Sequence, residues 1–148
     1  MKIYESHNGR LRNLSDTLRK KYEVLEGYLS ELRRELDLKL VILFGSLARG
    51  DWKESSDIDL LIVSDDLSDN PAENFIKLKR GCVEPHGFST KRFMAELEKP
   101  NLLIMDALEY GKKLVADRKF MRLVESRFKE VKKKYGLKWV DGTWTWKV

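Results

Sequence analysis

Apolar residues at Leu11, Leu14, Leu18, Tyr22, Leu25, Leu29, Leu32 and Leu36 recur every three or four positions. Side chains at those steps share one face, so the spacing predicts an amphipathic helix over about residues 10–37, with Arg, Lys and Glu on its other side. Gly27 interrupts the pattern at a cost of about 1 kcal/mol against Ala. Such a stripe suits packing on the chain's own sheet. It also suits a coiled-coil seam between two copies, which would make a homodimer. Residues 1–9 have no pattern and are expected to form a short extension.

The period then shortens. Residues 40–44 and 58–63 are continuous apolar runs and read as buried strands. Between them, 47–50 suits a short helix and 51–56 a polar loop. After a turn-rich segment at 64–71 come a short helix (71–80, apolar at Phe75, Ile76 and Leu78) and a third strand (82–85). Ser89 or Thr90 caps a helix that runs to Glu98 with Phe93, Met94 and Leu97 inward. A second helix over 101–110 stops at Gly111, and 113–116 suits a last strand. Residues 117–135 form a basic amphipathic helix with Phe120, Met121, Val124, Phe128 and Val131 inward. Asp141-Gly142 between alternating residues signals a two-residue hairpin, setting Trp139 opposite Trp144 and Leu137 opposite Trp146. Its aromatic face suits docking on the domain (the commonest case), binding a second subunit, or stacking bases.

Length and charge narrow the picture. The 148 residues suit one domain, with a core at about 38–116, the first helix at 10–37, and a final helix and hairpin at 117–148. No leader-type segment and no run of eighteen apolar residues is present, so no membrane association is expected. Cys82, the single cysteine, rules out an internal disulfide and suits a reducing cytoplasm. In a strand it would be an inert buried thiol. From Gly111 onward there are 12 Lys/Arg against 4 Asp/Glu, a net of +8; the first 110 residues carry 17 against 20, a net of −3. A basic tail attracts nucleic acid or an acidic partner, or is simply a solvated helix face.

The chemistry concentrates between the two apolar runs. Gly45-Ser46 closes the first, and Asp57-Ile58-Asp59 opens the second. In a strand, residues two apart point the same way, so Asp57 and Asp59 project together while Ile58 and Leu60 enter the core. Paired carboxylates repel unless a cation lies between them. Hard divalent ions such as Mg²⁺ take oxygen ligands and keep phosphate oxygens in the same shell. The Gly-Ser turn offers N–H groups and a hydroxyl to an anion. Together these suggest a nucleoside triphosphate site. Glu84, acidic in a short apolar strand, is the candidate third ligand. Asp65, Asp66, Asp106, His7 and His86 read as structural or solvated.

Leu-Phe-Gly-Ser-x-Ala-Arg-Gly, ten residues from Ser46 to Asp57, then Ser-Asp-Ile-Asp-Leu-Leu, resembles the nucleotidyltransferase superfamily of DNA polymerase beta, and within it the minimal nucleotidyltransferases. The resemblance covers about residues 38–116. It implies an α+β fold, a small mixed sheet flanked by helices, and transfer of a nucleoside monophosphate, AMP foremost, from a triphosphate to a hydroxyl. By position, Gly45 and Ser46 would hold the β,γ-phosphates, with Arg49 near them or in a structural ion pair. Asp57, Asp59 and Glu84 would carry catalysis and bind two Mg²⁺ ions. Glu84 stands where the family commonly has Asp. Minimal members resemble antitoxins that act with a small helical toxin-type partner, which makes a protein or small-molecule hydroxyl the first acceptor to consider. Transfer to nucleic acid, and a non-catalytic nucleotide- or partner-binding module, are the alternatives.

Overall fold

The structure is a computed structural model that describes residues 9–146, with side chains from residue 16 onward. The expected N-terminal extension, His7, and the Leu11 and Leu14 side chains lie outside the described residues. The elements run α1 (Gly9–Glu35), β1 (Leu38–Phe44), α2 (Gly45–Arg49), β2 (Ile58–Ser64), α3 (Pro71–Leu78), β3 (Val83–Phe88), α4 (Thr90–Glu98), α5 (Leu102–Tyr110), β4 (Lys112–Ala116), α6 (Arg118–Tyr135), β5 (Lys138–Val140) and β6 (Thr143–Thr145). The order β3-β2-β1-β4 makes a mixed four-stranded sheet: β1 is antiparallel to β2 and β4, and β2 is parallel to β3. This is the α+β mixed sheet that the resemblance implies.

Both faces of the sheet are covered, which is why β1 and β2 read as unbroken apolar runs instead of alternating ones. On one face Val41, Leu43, Ile58, Leu60 and Ile62 pack against Tyr22, Leu25, Tyr28, Leu29 and Leu32 of α1, and against Leu78 at the end of α3. On the other, Leu40, Ile42, Phe44, Leu61 and Val63 pack against Phe93 and Leu97 of α4, Ile104 and Ala107 of α5, and Val124 and Phe128 of α6. Fully burying each such aliphatic side chain stabilises by about 2 kcal/mol. The α1 stripe therefore serves its own sheet, and the seam reading is not needed to explain it.

Caps set the helix starts. Asn70, Ser89, Asn101 and Asp117 accept first-turn N–H bonds at α3, α4, α5 and α6. Asp65 accepts from the Thr90 N–H and hydroxyl, and Asp66 from the Asp37 N–H, so both turn aspartates brace the fold. No helix among the described residues is long and apolar enough to cross a membrane.

Four local expectations change. First, the helix after β1 starts at Gly45, before Leu47. Second, in α3 the inward residues are Asn74 and Leu78, while Ile76 is exposed. The Asn74 amide donates to the Ser68 and Gly87 carbonyls and accepts from the Ser68 N–H, stapling the turn to β3. A saturated amide can be buried at little cost, whereas periodicity counts only apolar letters. Third, β3 runs through Pro85 to Phe88, so His86 is a strand residue, and Cys82 is exposed before the strand begins. Proline fits because β3 is an edge strand with one side unpaired. Fourth, the hairpin pairs Trp139 with Trp144 about Asp141 (φ +50) and Gly142 (φ +78), the I′ pattern. The ladder ends at Lys138–Thr145; Leu137 is buried and Trp146 is exposed. The hairpin docks on the domain: Trp144 Nε1 donates to Asp106 Oδ1 at 2.7 Å and its ring meets Phe128 edge-on.

Candidate active site

Phe44 ends β1 extended, and Gly45 turns the chain into α2 at φ +72. This conformation costs an L-residue about 1–2 kcal/mol and costs glycine nothing. The close neighbour on its side is Asp59: a Cβ built on Gly45 would lie 2.8 Å from Asp59 Cγ and overlap Oδ2. Phe44 and Asp59 are register partners across β1 and β2, so the antiparallel ladder itself sets the carboxylate beside the start of α2. No side chain caps α2, which leaves its first N–H groups without the usual side-chain acceptor.

On its other side β2 pairs in parallel with β3, and there Asp59 is opposite Glu84. Alternation puts Asp59, Leu61, Glu84 and His86 on one face. His86, opposite Leu61, packs its ring 5.7 Å from Phe44 and is held below its usual pKa by burial. Asp57 precedes β2 instead of lying in it. Its loop is held from behind by Lys21 of α1, which is buried and donates to the Glu54 carbonyl at 3.0 Å and the Ser56 carbonyl at 2.7 Å. Lys21 flanks the apolar stripe, which runs unbroken through Leu18, Tyr22 and Leu25, so no periodicity signal in the sequence marks this lysine as buried.

Asp59 registers the field of two other carboxylates, Glu84 and Asp57. Burial first, then the charges of Glu84 and Asp57, push its carboxyl up to about 6, with Arg49 opposing. Arg49 points back across the site edge: its Nε donates to Asp51 Oδ2 at 3.3 Å, its Nη1 donates to the Tyr110 hydroxyl at 3.0 Å, and its guanidinium stands over the Tyr110 ring. Both readings of Arg49 keep support: it is ion-paired, and its charge is felt at Asp59. Tyr110 and His86, neither assigned a role from the sequence, border this constellation.

The donor set fits a hard cation in kind, being all carboxylate oxygen with a surplus of negative charge at its centre. The side chains are not gathered into a shell: among the described residues no three Asp, Glu, His or Cys groups stand close enough to hold one ion as placed. Glu84 leans to Lys79, 3.8 Å away.

Comparison with known proteins places the chain. The family profile for the nucleotidyltransferase domain matches residues 25–131, well over half of its length. Over 54 residues the chain is 39% identical to a provisionally named protein adenylyltransferase of Methanocaldococcus jannaschii, covering 36% of this chain and 58% of that one. Over 28 residues it is 68% identical to a second protein of that organism with the same provisional name, covering 19% and 28%. The chain thus spans less than two thirds of either relative. Among solved structures, a provisionally assigned nucleotidyltransferase from Sulfolobus solfataricus superposes with a TM-score of 0.50 at 20% identity, over 70% of this chain and 87% of that one. A toxin–antitoxin crystallised with AMP-PNP gives 0.51 at 22%, over 74% and 90%. These two likenesses concern the fold. With the profile match and the Gly-Ser to Asp-x-Asp arrangement, the chain belongs to the nucleotidyltransferase domain family of transferases.

Proposed function

We propose that this chain moves a nucleoside monophosphate, most simply AMP, from a nucleoside triphosphate to a hydroxyl on a protein or small molecule. One observation carries the reading: the Asp59 carboxylate lies between Gly45, at the uncapped start of α2, and Glu84 of the next strand. That places a focus of negative charge next to backbone N–H donors. The arrangement suits a triphosphate tail accompanied by a cation.

In this reading Gly45 and Ser46 receive the β,γ-phosphates, with Arg49 countering charge at their edge. Asp57, Asp59 and Glu84 would hold magnesium, two ions as the family resemblance implies. The chemistry such ions supply is charge stabilisation at the attacking and departing oxygens of an in-line displacement. The chain's own residues do the positioning. Gly45 admits the phosphates close to Asp59 because it has no side chain in the way. Lys21 fixes the loop that ends in Asp57. In this reading Glu84 takes the proton from the acceptor hydroxyl as its oxygen bonds to the α-phosphorus. The bond from that phosphorus to the α,β-bridging oxygen breaks, and pyrophosphate leaves. Positioning and electrostatics supply most of the acceleration in phosphoryl chemistry.

For the acceptor, the likeness to a toxin–antitoxin supports a small helical toxin-type protein, with this chain as the antitoxin. A second reading, a module that binds nucleotide or partner without turnover, draws on the Lys79–Glu84 pair. The deciding experiment incubates the purified chain with α-labelled ATP, Mg²⁺ and the product of any adjacent gene for a small helical protein, beside an EDTA control. Label on the partner with pyrophosphate release supports transfer. ATP binding with neither, for every triphosphate and extract tried, supports the binding module.

A further inference from the structure

The C-terminal half of α6 and the hairpin enclose a cleft of about 870 Å³ that the transfer reading leaves unused. Lys129, Lys132, Lys133, Lys134 and Lys138 line it, against the single carboxylate of Glu109. That carboxylate engages only Lys132, at 3.4 Å. Lys129, Lys133 and Lys138 have no carboxylate at ion-pair distance among the described residues, and all three are exposed. Lys129 and Lys133 are one turn apart on a single helix face. Five ammonium groups exceed what the negative end of one helix dipole calls for.

Aromatic surface adjoins this charge. Tyr135 and Leu137 line both the basic cleft and a smaller apolar groove of about 320 Å³, whose outer wall is Trp146. Trp146 is 58% exposed, although its hairpin neighbours Trp139 and Trp144 pack edge-on against each other and also meet aromatic rings of the domain. Lysines also stand over rings here, Lys132 over Phe128 and Lys134 over Tyr135.

We propose that this cleft and groove form a binding site for a single-stranded polynucleotide, with phosphates along the lysines and unstacked bases on Tyr135 and Trp146. An acidic protein would use the ammonium groups but has no call for exposed rings in the adjoining groove. A duplex would hide the base faces that the rings can stack on. The site lies beside the transfer machinery: Trp139 lines the cleft and touches Tyr110, which holds Arg49. Binding itself does not depend on transfer.

The test is fluorescence anisotropy of the full chain with labelled U12, dT12, a 12-base-pair duplex and a twelve-residue poly-glutamate. Saturable binding of the single strands is expected. Three phosphate contacts give an affinity loss of about 20-fold between 50 and 200 mM salt. Lys133→Glu with Lys138→Glu weakens binding at least about tenfold. Trp146→Ala weakens it about tenfold with the salt slope unchanged. Both variants keep the wild-type melting temperature; Lys129→Glu gives the same comparison if the double variant does not fold. Asp59→Asn binds like the wild type, so loss of transfer and loss of binding are read separately. No saturation at 50 mM salt, poly-glutamate or duplex binding as tightly as U12, or an unaltered Trp146→Ala would overturn the proposal.

Discussion

Gly45 and Asp59 meet closely enough that no side chain fits between them: a Cβ on the glycine would lie 2.8 Å from the aspartate Cγ. The approach follows from register, since Phe44 pairs with Asp59 and Gly45 is the next residue along.

Gly45→Ala must both adopt φ +72 and displace the carboxylate. The first costs about 1–2 kcal/mol, and the second adds to it, so a total loss of roughly 2–3 kcal/mol is expected together with loss of nucleotide binding. Gly27→Ala is the contrast. It lies mid-helix with nothing within 4 Å of a new Cβ, and is expected to stabilise by about 0.5–1 kcal/mol. Denaturant melts of both variants decide it. Equal effects at the two glycines would show that the close approach to Asp59 is immaterial.

Asp59→Asn separates function from stability. The wild-type carboxylate is half-buried beside Glu84 and Asp57, which disfavours its charge. An amide of the same shape removes that repulsion. The metal-free variant is expected to gain on the order of 1 kcal/mol near neutral pH, after discounting for solvent screening. Transfer should fall at least about a hundredfold, because a neutral ligand holds a cation poorly. Calorimetry in EDTA and pyrophosphate release in Mg²⁺ read the two effects; a variant that loses stability and keeps turnover contradicts both.

Much of this arrangement was legible in the residues themselves. The Leu25, Leu29, Leu32 stripe, the two apolar strands and the Asp141-Gly142 turn are local signals, and each produced the expected element. What was hidden depended on contacts between distant segments. Asn74 is polar by letter and buried by virtue of partners at Ser68 and Gly87. His86 reads as loop after Pro85, yet an edge strand tolerates that proline and carries on to Phe88. Glu84 could be proposed by position, whereas its pairing opposite Asp59 is a fact of parallel register that sequence alone does not fix. Cys82 was misread as a buried strand residue because the strand begins one residue later.

Lys21 is the clearest example, because its long side chain reaches from α1 to a loop more than thirty residues away. Lys21→Met keeps the apolar stem and removes both bonds to the Glu54 and Ser56 carbonyls. These are charge-assisted and part-buried, so a cost of about 1–3 kcal/mol is expected. The loop presents Asp57, so transfer should weaken through the apparent Mg²⁺ requirement more than through folding. Titrating activity with Mg²⁺ at a temperature where the variant is fully folded checks this. An unchanged Mg²⁺ midpoint would reduce Lys21 to a packing role.

Trp144→Phe tests how the hairpin is fastened. The indole N–H donates to Asp106 at 2.7 Å and the ring is buried against Phe128. Phenylalanine keeps part of the contact, loses the donor, and leaves a part-buried carboxylate without it. A loss of about 2 kcal/mol is expected. Hydrogen exchange should rise first in β5 and β6; exchange that stays uniform across the chain would mean that the hairpin is held by other contacts.

Tyr28 gives the fold a defined response to alkali. Its hydroxyl donates to the Leu78 carbonyl at 2.9 Å, joining α1 to the end of α3, and burial, partly opposed by Arg80, pushes its pKa from 10.0 up to about 12. A phenol raised in the folded state stabilises fully below pH 10, where it is neutral in both states. The contribution is lost as pH climbs from 10 through 12, because the unfolded chain ionises first. Discounted for partial screening, the loss is about 1–2 kcal/mol. Tyr28→Phe gives up the hydrogen bond, about 1 kcal/mol at pH 8, and has no phenol to ionise. Wild type should therefore exceed the variant in stability at pH 8, with the gap closing between pH 10 and 12. Urea melts of the pair across that range measure the gap directly, and a constant difference up to pH 12 would mean that the phenol is open to water.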